Sequence, residues 1–372
     1  MERYAGQPLG AEPHIAVLGS SKVGNFIVTT PLLRGLKEQY PDSCLDFYGS
    51  PVNRDFEQAC PWIDWRTDIF PLGAHHLEHL TAVVHERLQA GGYDLVINCD
   101  GFNPYTTTLA TLLQPRYVAG NALAPNLSED FPLGDHPWQR LLAEGDWTTP
   151  EFLERYRGWL TSNYIGELFC RVAFVETDFF SIRLPILEPE FEVPDLLIHA
   201  NATRDAKLWP LDRWRAVADW AASQGLSLGL VGTRPKPDQL DALGSRIEAG
   251  LAAHPAVTDL RGKTRLIQLA GALTRARACL SVDSGPLHVA VAVGCPTVGI
   301  CATDAAGVGA SPRDLWMPRA SHLRLTVSEV SCRGCLDQRF RNDGCTEPEQ
   351  VCQLGVSVDQ VIGLLREVLG AP

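Results

Sequence analysis

The feature that most constrains this chain is a short apolar strand that runs through a tight polar turn into an apolar helix. Residues 278–280 are apolar and predict a buried strand, and Asp283, Ser284, Gly285 and Pro286 follow closely. Serine and glycine suit the turn, and proline suits the first turn of a helix. Such a turn aims backbone N–H groups and the positive end of a helix dipole at a ligand, and phosphate fits that position. An ordinary strand–turn–helix of an α/β protein is the alternative interpretation.

A second loop carries the side chains that a diphosphate needs. The apolar residues 196–198 predict a strand, and the loop after it contains Thr203, Arg204 and Lys207. A hydroxyl and two cations suit a diphosphate, because lysine acts as a point charge and arginine as a fork of donors. A surface loop with an unrelated basic pair is the alternative. Both loops lie in one region of alternating strands and helices, so we expect them to converge at one edge of a parallel sheet.

These motifs make the sequence similar to glycosyltransferase family 9, the heptosyltransferase family. The matching segments are residues 203–210, 283–288 and, near the amino terminus, 20–31, and the resemblance extends from His14 to about Leu369. It implies the α/β GT-B fold, in which two Rossmann-like domains face each other across a cleft. It also implies an inverting, metal-independent transfer of a sugar from a nucleotide diphosphate, typically ADP-heptose. The donor would bind in the second half of the chain and the acceptor in the first.

The resemblance and the side-chain chemistry together predict the donor site. Thr203 and Lys207 are expected to bind the diphosphate, with Lys207 neutralising the charge that builds on the leaving nucleotide. Asp283 is expected to accept hydrogen bonds from hydroxyls of the transferred sugar, while Ser284 and Gly285 bind phosphate oxygens. The other residues predicted to contact the donor are Arg204, the ribose candidate Asp238, His288 and, from the first half, Lys22.

The predicted acceptor side departs from the family at the general base. Family members usually carry aspartate after the glycine of the first motif, where it is thought to deprotonate the acceptor, and this chain has Asn25. An amide can orient a hydroxyl but cannot take up a proton at neutral pH. Asp100, which follows the strand predicted at 95–98, is the expected substitute, and a turn-capping aspartate is the alternative. A non-catalytic protein that binds sugar nucleotides and a sugar-nucleotide epimerase also remain open.

Length and composition favour two domains. The chain has 372 residues, 45% of them hydrophobic and 20% charged, which is typical of a globular protein of more than one domain. We expect an acceptor-side domain at 1–182, closed by a helix over 151–170, and a donor domain at 183–356. A C-terminal helix in 357–372 is expected to pack back on the first domain, and the proline-rich residues 184–194 to form the linker. No apolar run approaches the length of a membrane span, and residues 1–8 lack a signal-peptide core, which favours the cytoplasm.

Negative charge is concentrated in the first half. Residues 1–182 carry 12 Lys and Arg against 23 Asp and Glu, a difference of −11, whereas residues 183–372 carry 20 against 21. Such a field disfavours polyanions, including nucleic acids and phosphorylated lipid A cores. We therefore expect a neutral or cationic acceptor, such as a peptide or an aminoglycoside-like metabolite. A lipopolysaccharide core acceptor and a generically acidic surface are the alternatives.

Four cysteines form a separate group near the C-terminus. Cys332, Cys335, Cys345 and Cys352 lie within 21 residues of a polar segment, and this spacing suits a structural zinc or iron site. The resemblance points the same way, because some related heptosyltransferases bind iron through four cysteines. No cofactor is expected to take part in catalysis. Disulfides and free thiols are the alternatives, and a reducing cytoplasm would favour free thiols.

Overall fold

Two compact units make up the chain, Met1–Arg183 and Leu184–Pro372. The computed structural model describes residues 1–70, 76–307, 312–334, 345 and 350–370. Each unit is built on a parallel sheet of six strands, as predicted for two Rossmann-like domains. Within the described residues, no helix combines the length and the apolar character needed to cross a membrane.

The first sheet has the spatial order β1-β6-β5-β2-β3-β4. Its strands are β1 (Glu2–Arg3), β2 (His14–Leu18), β3 (Cys44–Gly49), β4 (Trp65–Asp68), β5 (Leu95–Asn98) and β6 (Tyr117–Gly120). The helices described between and after them are α1 (Val23–Gln39), α2 (Arg54–Ala59), α3 (His76–Gln89), α4 (Pro104–Leu112), α5 (Pro137–Arg140), α6 (Pro150–Arg155) and α7 (Ile165–Val172). Strand β5 is buried throughout, and in β2 only His14 is partly exposed, as expected for a parallel sheet covered on both faces.

The single helix predicted over 151–170 is wrong, because the structure divides this stretch into α6 and α7. Gly158 adopts φ +83°, a left-handed conformation that helices do not continue through. Farther along, the buried Glu167 carboxylate accepts hydrogen bonds from the Thr161 N–H at 2.7 Å and from Ser162 Oγ at 2.7 Å. These bonds hold the residues before α7 in a non-helical loop.

The second sheet has the spatial order β12-β11-β10-β7-β8-β9. Its strands are β7 (Leu196–His199), β8 (Leu228–Leu230), β9 (Val257–Asp259), β10 (Ala278–Val282), β11 (Thr297–Ile300) and β12 (Leu323–Leu325). The described helices are α8 (Leu211–Ser223), α9 (Leu243–Ala252), α10 (Leu266–Arg275), α11 (Gly285–Ala292), α12 (Arg313–Trp316), α13 (Val351–Leu354) and α14 (Val358–Leu369). The core of this unit surrounds the fully buried Trp209 and Trp214, whose ring centroids lie 5.3 Å apart.

The C-terminal helix α14 packs on the core of the second unit, and its packing on the first domain stays a prediction. Val361 and Leu365 are fully buried in the core of the second unit. Helix α14 lies against α8, β10 and β11. The apolar face of α14 is therefore buried within the second unit.

Residues 184–194, predicted as a linker, bind to helix α10 through a hydrogen bond and an ion pair. The Leu187 N–H donates to the Ile267 carbonyl at 3.0 Å, and Arg275 Nη1 lies 2.9 Å from Glu188 Oε2. A Cβ atom added to Gly271 would lie 2.0 Å from the Leu187 carbonyl oxygen, so this close approach requires glycine. Residues 184–194 thus begin the second unit structurally as well as in sequence.

Candidate functional site

The second sheet changes direction between β7 and β10. Strand β7 continues to β8 and β9 on one side, and β10 then starts the other side, so the two neighbours are not consecutive in the chain. They pair in parallel, with Leu196 opposite Ala278 and His199 opposite Ser281. In open α/β sheets, ligands bind at the carboxyl ends of the strands where the order reverses. Both loops that the sequence analysis selects begin at this point.

Lys207 and Asp283 meet there as an ion pair. Lys207 Nζ lies 2.5 Å from Asp283 Oδ2, and His288 Nε2 lies 3.9 Å from Asp283 Oδ1. The side chain of Asp283 is 8% exposed and that of Lys207 is 20% exposed. Burial would raise the pKa of Asp283, but the charge of Lys207 and the nearby imidazole of His288 outweigh it and hold this pKa well below its usual range. Asp283 is therefore a carboxylate, able to accept hydrogen bonds but not to act as an acid.

Helix α11 starts directly beside this pair. Ser284 precedes the helix with φ −155°, and its hydroxyl donates to the Val282 carbonyl at 3.1 Å without capping the helix. The first N–H groups of a helix have no partner within the helix. Together with the helix dipole, the backbone at Gly285 favours an anion next to Lys207. Two features of this site thus favour a phosphate independently, as the sequence predicts.

A C-terminal segment braces the Lys207 loop. Residues 205–207 form a 3-10 turn, and the buried Gln353 donates from Nε2 to the Ala206 carbonyl at 3.1 Å. Two residues past the turn, Trp209 Nε1 donates to the Val356 carbonyl at 3.0 Å. Arg213 Nη1 reaches the Leu354 carbonyl at 2.8 Å. The position of Lys207 therefore depends on residues almost 150 positions later in the chain, a dependence that the sequence analysis missed.

The remaining predicted donor residues differ in their placement. Thr203 is exposed and Arg204 is half-buried, both in the loop that leads to Lys207. Asp238 is exposed on a 3-10 turn, Pro237–Gln239, in the connection that follows β8. The contacts described above bring together Lys207, Asp283 and His288, and they do not include Asp238.

In the first sheet, the strand order reverses in the same way between the neighbouring strands β2 and β5. Lys22 precedes α1 and is exposed, Asn25 lies in the first turn of that helix, and Asp100 follows β5. Asp100 Oδ2 accepts a hydrogen bond from Asn103 Nδ2 at 3.2 Å. Burial raises the pKa of Asp100, and the Asn103 bond and the positive charge of Lys22 only partly offset it. A carboxylate with a raised pKa is a better proton acceptor, which is the property that a general base needs.

A buried carboxyl group in the second unit escaped the sequence analysis. Glu248 is 1% exposed on α9, and its Oε2 accepts a hydrogen bond from Asn201 Nδ2 at 3.0 Å. Arg261 Nη1 lies 3.9 Å away. Burial raises the pKa of Glu248 to about 7, against the lowering effect of Asn201 and Arg261. The available signal was a glutamate between Ile247 and Leu251 on the apolar side of the helix.

The cysteine group is only partly within the described residues, because Cys335 lies outside them. Cys332 and Cys345 are half-buried, and Cys345 packs against Ala206 beside the Lys207 loop. Cys352 is buried in α13, and its carbonyl accepts a hydrogen bond from Ser328 Oγ at 2.8 Å. A zinc or iron site at this group stays a prediction.

Among the described residues, three potential metal ligands do come within 4.8 Å of one another at His14, Cys44 and Asp46. Asp46 Oδ2, however, already faces His14 Nε2 at 3.0 Å and Arg87 Nη2 at 2.5 Å. Tyr93 OH also donates to it at 2.6 Å. Burial and the charge of Asp46 raise the pKa of the Cys44 thiol, which disfavours the thiolate that a metal requires. The donor set therefore fits a buried hydrogen-bond network better than a cation.

The two parallel six-stranded sheets and the similarity to known proteins indicate a glycosyltransferase with the GT-B fold. The model of glycosyltransferase family 9 (heptosyltransferase) matches residues 175–338, which include the Lys207 and Asp283 loops. Nearly half of the chain therefore matches glycosyltransferase family 9, as the motifs indicate.

Three known proteins illustrate the similarity. Lipopolysaccharide heptosyltransferase 3 of Escherichia coli K12 is 24% identical over 300 residues, which cover 79% of this chain and 82% of the relative. The solved glycosyltransferase of family 9 from Veillonella parvula has a TM-score of 0.70 at 19% identity, over 96% of this chain and 98% of that one. The ADP-heptose lipopolysaccharide heptosyltransferase II of E. coli has a TM-score of 0.63 at 17% identity, with the same coverage.

Proposed function

We propose that this protein transfers a heptose from ADP-heptose to a hydroxyl of a lipopolysaccharide core saccharide, with inversion at the anomeric carbon. The observation that carries the proposal is the ion pair between Lys207 and Asp283 at the start of α11. It provides a cation and a helix dipole for a diphosphate, next to a carboxylate for sugar hydroxyls. The names of the similar proteins support heptose as the sugar and ADP as the nucleotide.

On the donor side, each group has a distinct task. Lys207, Thr203 and Arg204 bind the diphosphate, and Lys207 stabilises the negative charge that develops as the nucleotide leaves. Backbone N–H groups at Ser284 and Gly285 bind phosphate oxygens. Asp283 and His288 contact the sugar or its phosphates. Lys22 contacts a phosphate, and Asp238 binds the ribose.

On the acceptor side, Asp100 is the general base. The acceptor oxygen attacks the anomeric carbon while its proton passes to the Asp100 carboxylate. The bond between that carbon and the diphosphate oxygen breaks, and ADP leaves with the electron pair. Asn25 orients the hydroxyl without taking its proton. The raised pKa of Asp100 supports this assignment, because the carboxylate is a stronger base than an exposed one.

The acceptor class rests on two opposing observations. The similar proteins include a lipopolysaccharide heptosyltransferase, which favours a core saccharide. The charge difference of −11 in residues 1–182 favours a neutral or cationic acceptor, such as a peptide or an aminoglycoside-like metabolite. The relatives weigh more, because a net charge spread over a whole unit does not describe the surface around Asp100. The neutral or cationic acceptor is the second candidate.

A transfer assay decides between these acceptors. Purified protein would be incubated with ADP-heptose and either a heptose-deficient core oligosaccharide or a peptide library, with products detected by mass spectrometry. Thermal stability against ADP, UDP and GDP would report the donor site separately, since a nucleotide at a hundred times its dissociation constant stabilises by about 2.7 kcal/mol. Stabilisation by ADP without transfer to any acceptor would favour a non-catalytic binding protein. Stabilisation by UDP or GDP instead would refute ADP-heptose as the donor.

A further inference from the structure

An exposed aromatic residue lies in the same turn as the proposed base. Phe102 is 58% exposed, although it lies two residues after Asp100 in the same turn. Its ring centroid is 5.2 Å from that of Trp147, with an interplanar angle of 61°. Trp147 is 4% exposed, and its Nε1 donates to the Leu141 carbonyl at 2.7 Å. Phe102 therefore packs on a buried support while more than half of the residue remains exposed to solvent.

The turn that carries Phe102 is held rigidly. The Asn103 N–H donates to the Asp100 carbonyl at 2.9 Å, and Thr106 Oγ1 donates to the same oxygen at 2.8 Å. The Gly101 carbonyl accepts from Asn121 Nδ2 at 2.9 Å. A Cβ atom added to Gly101 would lie 2.9 Å from that nitrogen, so a larger residue would displace the Asn121 side chain. These bonds fix the backbone on both sides of the ring, and a fixed ring binds its ligand with little loss of conformational entropy.

From this geometry we propose that Phe102 is an acceptor-binding residue that stacks against the apolar C–H face of a sugar ring. The C–H bonds of a pyranose carry a weak positive charge and complement the negative face of an aromatic ring. A sugar also carries hydroxyls at its rim, close to its apolar face. Phe102 and Asp100 sit two residues apart in one turn, so a single sugar ring can meet the aromatic platform and present a hydroxyl to the base. An acyl chain would satisfy only the first of these contacts.

This inference rests on the proposed function, because it names the part of the acceptor that Phe102 recognises. The test uses the full-length protein and a heptose-deficient core oligosaccharide without lipid A. The variants are Phe102→Ala, Phe102→Leu and Phe102→Trp. Leu112→Ala is the matched control, because Leu112 is 38% exposed at the other end of α4, the helix that follows this turn. The acceptor KM is measured at saturating ADP-heptose, and oligosaccharide binding is measured separately by saturation-transfer NMR without donor.

We expect Phe102→Ala to raise the acceptor KM about tenfold, equivalent to about 1.4 kcal/mol, and to leave the KM for ADP-heptose unchanged. Phe102→Leu should resemble Phe102→Ala, because leucine is apolar but offers no ring face. Phe102→Trp and Leu112→Ala should resemble the wild type. An acceptor KM for Phe102→Ala within twofold of the wild-type value would overturn the inference. Full binding by Phe102→Leu would also overturn it, because the contact would then be generally apolar.

The two experiments also separate this inference from the proposed function. Transfer by the wild type together with an unaffected Phe102→Ala would refute the stacking role alone. Oligosaccharide binding that depends on Phe102, without any transfer, would support the stacking role and refute the proposed reaction. If the wild type neither binds the oligosaccharide nor transfers heptose to it, both are wrong.

Discussion

Replacing Lys207 by methionine would remove the cation that faces the Asp283 carboxylate at 2.5 Å. Methionine keeps an unbranched apolar stem, so most of the packing of the side chain is retained. The carboxylate that remains is 8% exposed, and His288 Nε2 lies 3.9 Å from its Oδ1. Breaking a buried ion pair by removing one partner costs about 3–5 kcal/mol. Since Lys207 is 20% exposed, we expect the lower end of this range at pH 7, about 3 kcal/mol.

This loss of stability should depend on pH. In the native protein the pKa of Asp283 lies below its usual range, so its ionised form stabilises the fold above the unfolded-state pKa of about 4. Without Lys207, burial dominates and raises this pKa, so ionisation of Asp283 destabilises the variant. The difference between wild type and Lys207→Met should therefore be largest at neutral pH and should narrow as the pH falls towards 4.

Urea unfolding followed by tryptophan fluorescence measures these differences, because Trp209 and Trp214 lie in the core of the second unit. Asp283→Asn in the Lys207→Met background removes both charges and should restore most of the lost stability. The same double variant should keep the defect in turnover, about 10²–10³ in kcat, because the leaving nucleotide still lacks its cation. Lys263→Met is the control for an exposed lysine. A loss in Lys207→Met no larger than in this control, or one that is equal at pH 4 and pH 7, would refute the reasoning.

Three further predictions concern residues outside this pair. Asp100→Asn should lower the transfer rate by about 10²–10⁴ while thermal stabilisation by ADP is unchanged, and a variant with near wild-type turnover would exclude Asp100 as the base. Folding raises the pKa of Glu248 to about 7, so the contribution of Glu248 to the free energy of unfolding should decrease by about 3 kcal/mol as the pH rises from 4 to 8. The variant Glu248→Gln should therefore flatten this part of the pH profile measured by urea unfolding. An unchanged profile would contradict the raised pKa. Gln353→Leu should raise the KM for ADP-heptose by about tenfold with little effect on the acceptor KM. The reason is that one buried hydrogen bond contributes about 1 kcal/mol and that its loss also frees the turn that carries Lys207. Equal effects on both KM values would instead indicate a general loss of folding.

Much of the local structure can be predicted from the sequence. The predicted strand at 95–98 is observed as β5, and the turn at Ser284 leads directly into α11. These features depend on a few adjacent residues: an apolar run defines a buried strand, and proline, glycine and serine define where a turn ends and a helix begins. The helix predicted over 151–170 is wrong because Gly158 and the side chains that bind Glu167 interrupt it, and periodicity alone does not detect such an interruption.

By itself, the sequence predicted which loops would carry the chemistry, whereas the tertiary structure decided which groups meet. Lys207 and Asp283 are 76 positions apart, and only the order of strands in the sheet places β7 beside β10. The brace from Gln353 depends on how the C-terminal segment packs, as does the location of α14 in the second unit. Backbone turns are local because neighbouring residues control them, while burial and pairing come from segments that the chain brings together only on folding. The raised pKa of Asp100 likewise depends on burial that arises only when the chain folds.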